Sequence, residues 1–223
     1  MNAGFVAFIG IGFLIGFRHA FEPDHLAAVS MLATRERGWQ SASRLGVAWG
    51  AGHTGSVALV AIVITVLGIH VPERFFASFE LLVAAMLIFL GLSTLITEAR
   101  RHRKVLGAEH AHAHSAHVPH VHPERIRNAR SAFGFGIAHG LAGSGAVIVL
   151  LVAAASNVKM QFAYLFAFGV GTIGGMCLVT LLIGGMAGMA VARSKHWAMS
   201  IRIAAATASM VVGTLLGWSV LAA

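Results

Sequence analysis

Gly16 to Ala28 read GFRHAFEPDHLAA. This stretch sets Arg18, His19, Glu22, Pro23, His25 and the chain's one aspartate, Asp24, inside an otherwise apolar run. Ionisable groups at bilayer depth cost about 2.5 to 3.5 kcal/mol each, so they line a polar cavity or pair with one another. Whether the run is a membrane span therefore decides the fold. The chain is 57% hydrophobic and 11% charged, with a mean hydropathy of +0.81, outside the range of soluble domains. A span needs about 20 apolar residues. Six runs meet that length, at 4–32, 45–69, 76–97, 132–154, 161–191 and 198–222. The expected fold class is an all-α integral membrane protein of six transmembrane helices, with no room for a separate soluble domain.

The first run starts without a basic segment and continues into the polar motif without a small-residue cleavage site, so it is read as a span and not as a removed signal peptide. A single cysteine, Cys177, excludes an internal disulfide or a two-thiol relay. The net charge of +8 follows the loops. Arg35, Arg37 and Arg44 lie between the first two spans, and Arg193, Lys195 and Arg202 lie around the junction of the last two. Arg100, Arg101, Arg103, Lys104, Arg125, Arg127 and Arg130 flank the middle loop, while the opposite side holds only Arg74 and Lys159. Cytoplasmic loops concentrate Lys and Arg. Both ends of the sequence are thus expected outside a plasma (inner) membrane, and the basic residues are matched to lipid headgroups, with no nucleic-acid partner.

The sequence repeats weakly. GFRHAFEPDHLA at Gly16 aligns with GIAHGLAGSGAV at Gly136, pairing His19 with His139 and the Pro23 break with Gly143, Ser144 and Gly145. WGAGHTGSV at Trp49 aligns with FGVGTIGGM at Phe168, pairing Gly52 with Gly171, His53 with Thr172 and Gly55 with Gly174. LGLSTL at Leu90 matches LGWSVL at Leu216. Three spans per half force the second half into the membrane upside down, the inverted repeat of secondary transporters, whose sites lie at broken helices near the midplane. The expected organisation is a first three-helix repeat at 1–97, a loop at 98–130 and an inverted repeat at 131–223, with the first and fourth helices broken. Chance likeness of glycine-rich spans is the competing explanation.

His19, Asp24 and His25 are residue types that bind borderline dications. In an unbroken helix of 100° per residue, Asp24 would lie about 140° and His25 about 120° from His19, so a regular helix would not converge them. Pro23 removes a backbone donor and pushes Glu22 out of helical angles. The resulting break gathers the three side chains and frees carbonyls as further ligands. Arg18 would neutralise Asp24 or Glu22 while no ion is bound. His53 and His139 are supplementary ligands, although each taken alone is as readily a packing histidine. Ser144, Thr54 and Ser56 offer hydroxyls or satisfy nearby backbone; a polar network joining helices is the competing account of the cluster, but two histidines, two acids and an arginine within eight residues exceed what helix gluing needs. Met176, Met186 and Met189 are read as filler.

From residue 99 to 130 the composition turns polar, with His102, His110, His112, His114, His117, His120 and His122. Irregularly spaced imidazoles on a polar tract suit an adaptable metal buffer without fixed geometry.

RHAFEPDH resembles the R-H-A-x-x-x-D-H signature of the nickel/cobalt transporter (NiCoT) family, and GHTGSV in the second span looks like its second-helix G-H-S motif. HGLAGSGA at His139 is similar to the shorter urease-accessory, permease-like branch. The chain departs from the family pattern at Glu22 and Pro23. The resemblance implies a permease in which His19, Asp24, His25 and His53 recognise Ni²⁺ or Co²⁺.

The expected function is thus secondary transport of a divalent transition metal, Ni²⁺ or Co²⁺ with Zn²⁺ as a further substrate, without ATP because no Walker pattern occurs. A negative interior favours uptake by about 2.3 kcal/mol per charge per 100 mV. Efflux, an intramembrane metal-dependent hydrolase or hydroxylase with Glu22 as base, and a metal-buffering accessory protein are the alternatives; no enzyme and no resident cofactor are expected. The partners expected are the ion as substrate, the bilayer and a cytoplasmic metallochaperone exchanging metal with the loop.

Overall fold

The structure is a computed structural model that describes residues 3–34, 39–67, 72–109, 128–154 and 157–222. The side chains of residues 3, 73, 104–109, 143–154 and 195 lie outside that description. The described residues form seven helices and no strand: α1 (Ala3–His19), α2 (Pro23–Ala33), α3 (Trp39–Leu67), α4 (Glu73–Glu109), α5 (Ala129–Ala154), α6 (Val158–Arg193) and α7 (Lys195–Ala222).

Local chemistry sets several boundaries. Asn128 and Ser131 cap α5 reciprocally: Ser131 N–H donates to Asn128 Oδ1 at 2.9 Å and Asn128 N–H donates to Ser131 Oγ at 3.0 Å. Asn157 caps α6, its Oδ1 accepting from Met160 N–H at 2.9 Å. One extended residue, Ser194, separates α6 from α7.

Trp39–Leu67, Arg74–Arg103, Val158–Arg193 and His196–Ala222 are each long and apolar enough to cross a bilayer, and α1 with α2 forms a further apolar unit bent by 60°. With its 26 residues α5 rises about 39 Å at 1.5 Å per residue. Polarity is distributed for lipid and not for water. Phe166 and Leu221 are each 75% exposed, whereas His25, His53, His139 and Thr172 are buried.

Two expectations need correction. The fourth expected span is not broken, because α5 runs without interruption through Gly143 to Gly145. Glycine inside a helix costs only about 1 kcal/mol and keeps its N–H, whereas proline costs about 3 kcal/mol and loses it, so only the Pro23 site breaks. The polar segment expected as a loop from 98 begins as helix, since α4 continues to Glu109 with Arg101, His102 and Arg103 exposed.

The main contacts run between α3 and α5, α1 and α6, α3 and α6, and α4 and α7. Positions paired by the sequence repeat make matching contacts across these interfaces. A methyl group at Gly16 would overlap the Phe168 carbonyl, and one at its counterpart Gly136 would overlap the Trp49 carbonyl. Gly171 closes on the Phe13 carbonyl as Gly52 closes on that of Phe133. Such close approach of backbones is open only to glycine.

Candidate metal centre

The break after α1 is tightly made. Phe21 N–H donates to Arg18 O at 2.9 Å and Glu22 N–H to His19 O at 3.1 Å. Glu22 is extended, at φ −63° and ψ 146°, as a residue before proline must be. Pro23 then occupies the first position of α2, where its missing N–H has no helical partner to lose. His19 thus ends one helix while Asp24 and His25 begin the next, and the convergence a straight helix forbids is achieved. The carbonyls of Arg18, His19 and Glu22 all accept backbone hydrogen bonds. Side-chain atoms, and not these carbonyls, build the cluster.

His19 Nε2 lies 3.2 Å from His53 Nε2 of α3. Asp24 ties α2 to α5: its Oδ2 is 2.9 Å from His139 Nε2 of α5, while its Oδ1 is 3.2 Å from Nδ1 of its neighbour His25. The His25 ring stands 4.1 Å from that of His139, 4.5 Å from that of His19 and 4.9 Å from that of His53, centroid to centroid. Three of these four histidines are at most 1% exposed, and His25 Nε2, His53 Nδ1 and His139 Nδ1 are buried without a hydrogen-bond partner. Buried unpaired polar atoms cost about 1 to 3 kcal/mol each. Metal–nitrogen bonds of about 2.0 to 2.1 Å set neighbouring donor atoms about 3.0 to 3.4 Å apart, close to the spacing of the pairs His19–His53, Asp24–His25 and Asp24–His139.

All five expected ligands, His19, Asp24, His25, His53 and His139, are therefore brought together. The supporting residues behave differently from expectation. Arg18 makes no ion pair among the described residues and instead lines a cavity. Histidines take its place: His19 Nδ1 is 3.0 Å from Glu22 Oε1, and His25 and His139 hold Asp24. Arg18 is exposed on α1, whereas His25 and His139 each bring a ring nitrogen within 3.2 Å of an Asp24 oxygen. The Ser144 side chain lies outside the described residues, as do His110, His112, His114, His117, His120 and His122 of the expected loop buffer; His102 is an exposed residue of α4. Thr172, the counterpart of His53, donates to Phe168 O at 3.0 Å and Gly16 O at 3.2 Å, so among the described residues the second half contributes His139 alone.

A partly open cavity of about 670 Å³ reaches the cluster, with His19, Glu22, Asp24 and His139 on its wall. Glu80 of α4 lines it as well, a residue the sequence reading passed over. The signal was present, a lone acid in the apolar run 76–97. Away from the cavity, Arg202 of α7 donates through Nε to Glu98 Oε1 at 2.9 Å and through a terminal nitrogen to Oε2 at 3.1 Å, tying α7 to α4.

No family model and no solved structure matches the chain. Among characterised proteins it is 32% identical to urease accessory protein UreH of Bacillus sp. (strain TB-90) over 183 residues, 80% of this chain and 77% of the relative. With that identity over four-fifths of its length, the chain belongs to the family of the urease accessory protein UreH.

Proposed function

We propose that the protein is a secondary transporter that takes up a divalent transition metal, Ni²⁺ before Co²⁺ or Zn²⁺, through the His/Asp centre. The observation that carries this reading is the gathering of His19, Asp24, His25, His53 and His139 to ligand spacing in the interior, at the wall of a cavity. Imidazole-rich sites suit nickel, cobalt, copper and zinc. The relative's name associates the family with a urease, and the resemblance of RHAFEPDH to the nickel/cobalt transporter signature narrows the ion.

Six spans arranged as two inverted three-helix repeats are part of the same proposal. Its support is the matching of contacts at paired positions. Gly16 and Gly136 each close on a carbonyl of the other half, and His19 lies tilted against Phe168 at 5.5 Å while His139 meets Trp49 edge-on at 5.6 Å. Uptake is favoured by where the cavity lies. Glu80 and Tyr164 on its wall stand early in α4 and α6, and Leu216 late in α7, hence toward the α3–α4 and α5–α6 connections. Those connections carry few basic residues, and by the charge rule this supports an outward-facing cavity. The His-rich segment then lies inside, where it buffers arriving ions for a metallochaperone.

The test is uptake of radioactive nickel into proteoliposomes with a negative interior, comparing the intact protein with His19→Ala and Asp24→Ala. Both variants are expected to lose at least about tenfold in flux, since even outer residues of metal sites are worth 10 to 100-fold. Flux unchanged in both rejects the reading.

A further inference from the structure

The ligand atoms of the centre fall into two groups of three, His19 with His25 and His53, and Asp24 with His25 and His139, each group lying within 4.8 Å. Only His25 belongs to both. Its Nδ1 faces Asp24 Oδ1 at 3.2 Å, while its Nε2 is buried with no hydrogen-bond partner. An imidazole carries these nitrogens on different edges of one ring, so an ion bound at one edge is not bound at the other. The groups also differ in access. Asp24 and His139, the two members peculiar to one group, both line the cavity, whereas of the two peculiar to the other only His19 reaches its wall and His53 is fully buried.

We propose that the centre binds the substrate dication at two successive positions. The outer one lies between Asp24, His139 and His25 Nδ1, and the inner one between His19, His53 and His25 Nε2, with His25 as the ligand the ion passes. The inference rests on the transport reading above and adds to it an order of events. The outer position holds the one aspartate, and its negative charge offsets the loss of the ion's hydration as it leaves the cavity. The inner position has three imidazoles and no carboxylate among its ligand atoms, the Glu22 carboxylate standing behind it at Nδ1 of His19, so it holds the ion less tightly than the outer one. Conduction needs binding strong enough to admit an ion and divided over sites weak enough to release it. Occupation of both positions at once is opposed by repulsion between two dications across one ring.

The experiment uses the purified full-length protein with Ni²⁺ alone, measuring equilibrium binding, flux in proteoliposomes and the nickel X-ray absorption spectrum for intact, His53→Ala and His139→Ala proteins. His53→Ala is expected to bind Ni²⁺ within about threefold of the intact protein, with an unchanged imidazole count, and to lose at least about tenfold in flux. His139→Ala is expected to lose at least about tenfold in binding and one imidazole from the spectrum. Equal losses of binding in the two variants, with flux falling in proportion, would remove the second position and leave transport standing. Absence of Ni²⁺ binding by the intact protein would overturn the transport reading itself. Where an alanine variant does not elute as a folded species, the glutamine variant at the same position supplies the comparison.

Discussion

His25 Nδ1 lies 3.2 Å from Oδ1 of Asp24, its neighbour in sequence, so two adjacent residues at the start of one helix present a carboxylate and an imidazole to the same space. His25 is also the one residue common to both ligand groups. Its replacement by alanine leaves each group two donors. A ligand present at 100 times its Kd stabilises a folded protein by about 2.7 kcal/mol. Thermal unfolding in detergent should show a nickel-dependent rise in Tm for the intact protein and none for His25→Ala. A rise of equal size in the variant would contradict the central place of this ring.

Pro23 holds the geometry that makes the centre. Replacing it with alanine restores the missing N–H and removes a penalty of about 3 kcal/mol on helix continuing through Glu22. A continuous helix would turn Asp24 about 140° away from His19. Pro23→Ala is therefore expected to weaken nickel binding by at least about tenfold, up to about 100-fold if the full penalty is released. Its unfolding without metal should change little or shift upward. Titration calorimetry with Ni²⁺ and a melting curve without it check the two halves of this statement. Unaltered affinity would mean that helix packing, and not proline, fixes the break.

The parts of the centre that sequence exposed are those governed by local rules. Proline at 23 forbids a regular helix whatever surrounds it, so the bend and the convergence of His19, Asp24 and His25 followed. His53 and His139 emerged because the repeat set them in matching glycine-rich frames. The same logic misread α5, where the repeat suggested a break opposite Pro23 but Gly143 and Gly145 stay helical. Arg18 was matched to the acids on charge alone, yet His25 and His139 stand nearer to Asp24. Glu80 was passed over because one acid in an apolar helix reads as an incident until a cavity is seen beside it. Glu98 and Arg202, 104 residues apart, meet only through the packing of α4 on α7.

Paired glycines should respond as pairs. Gly16 and Gly136 lie against the carbonyls of Phe168 and Trp49, and neither has room for a methyl group. Gly55 and Gly174, also paired by the repeat, have nothing within 4 Å of an added Cβ. Overpacking costs about 1 to 3 kcal/mol. Gly16→Ala and Gly136→Ala should each lower Tm by several degrees, while Gly55→Ala and Gly174→Ala leave it unchanged or raise it. Melting curves of the four proteins decide, and a pair whose members differ sharply would count against matched packing of the halves.

The Arg202 fork on Glu98 gives the last prediction. Glu98 is 4% exposed, and Arg101 reaches its Oε1 at 3.5 Å while Arg202 supplies the closer bonds at 2.9 and 3.1 Å. Removing one partner of a buried pair leaves a charge without compensation and costs about 3 to 5 kcal/mol. Because Arg101 stays beside the carboxylate, Arg202→Ala should fall at or below the lower edge of that range. Glu98→Ala should cost a similar amount, since it leaves the largely buried Arg202 without its partner while the exposed Arg101 keeps its solvent. Replacing both partners by Met and Leu removes the charges together and should recover most of the loss, as apolar substitutes for buried pairs do. Urea midpoints for the two single variants and the double variant measure the coupling. Additive losses would show that the fork contributes nothing to the union of α4 with α7.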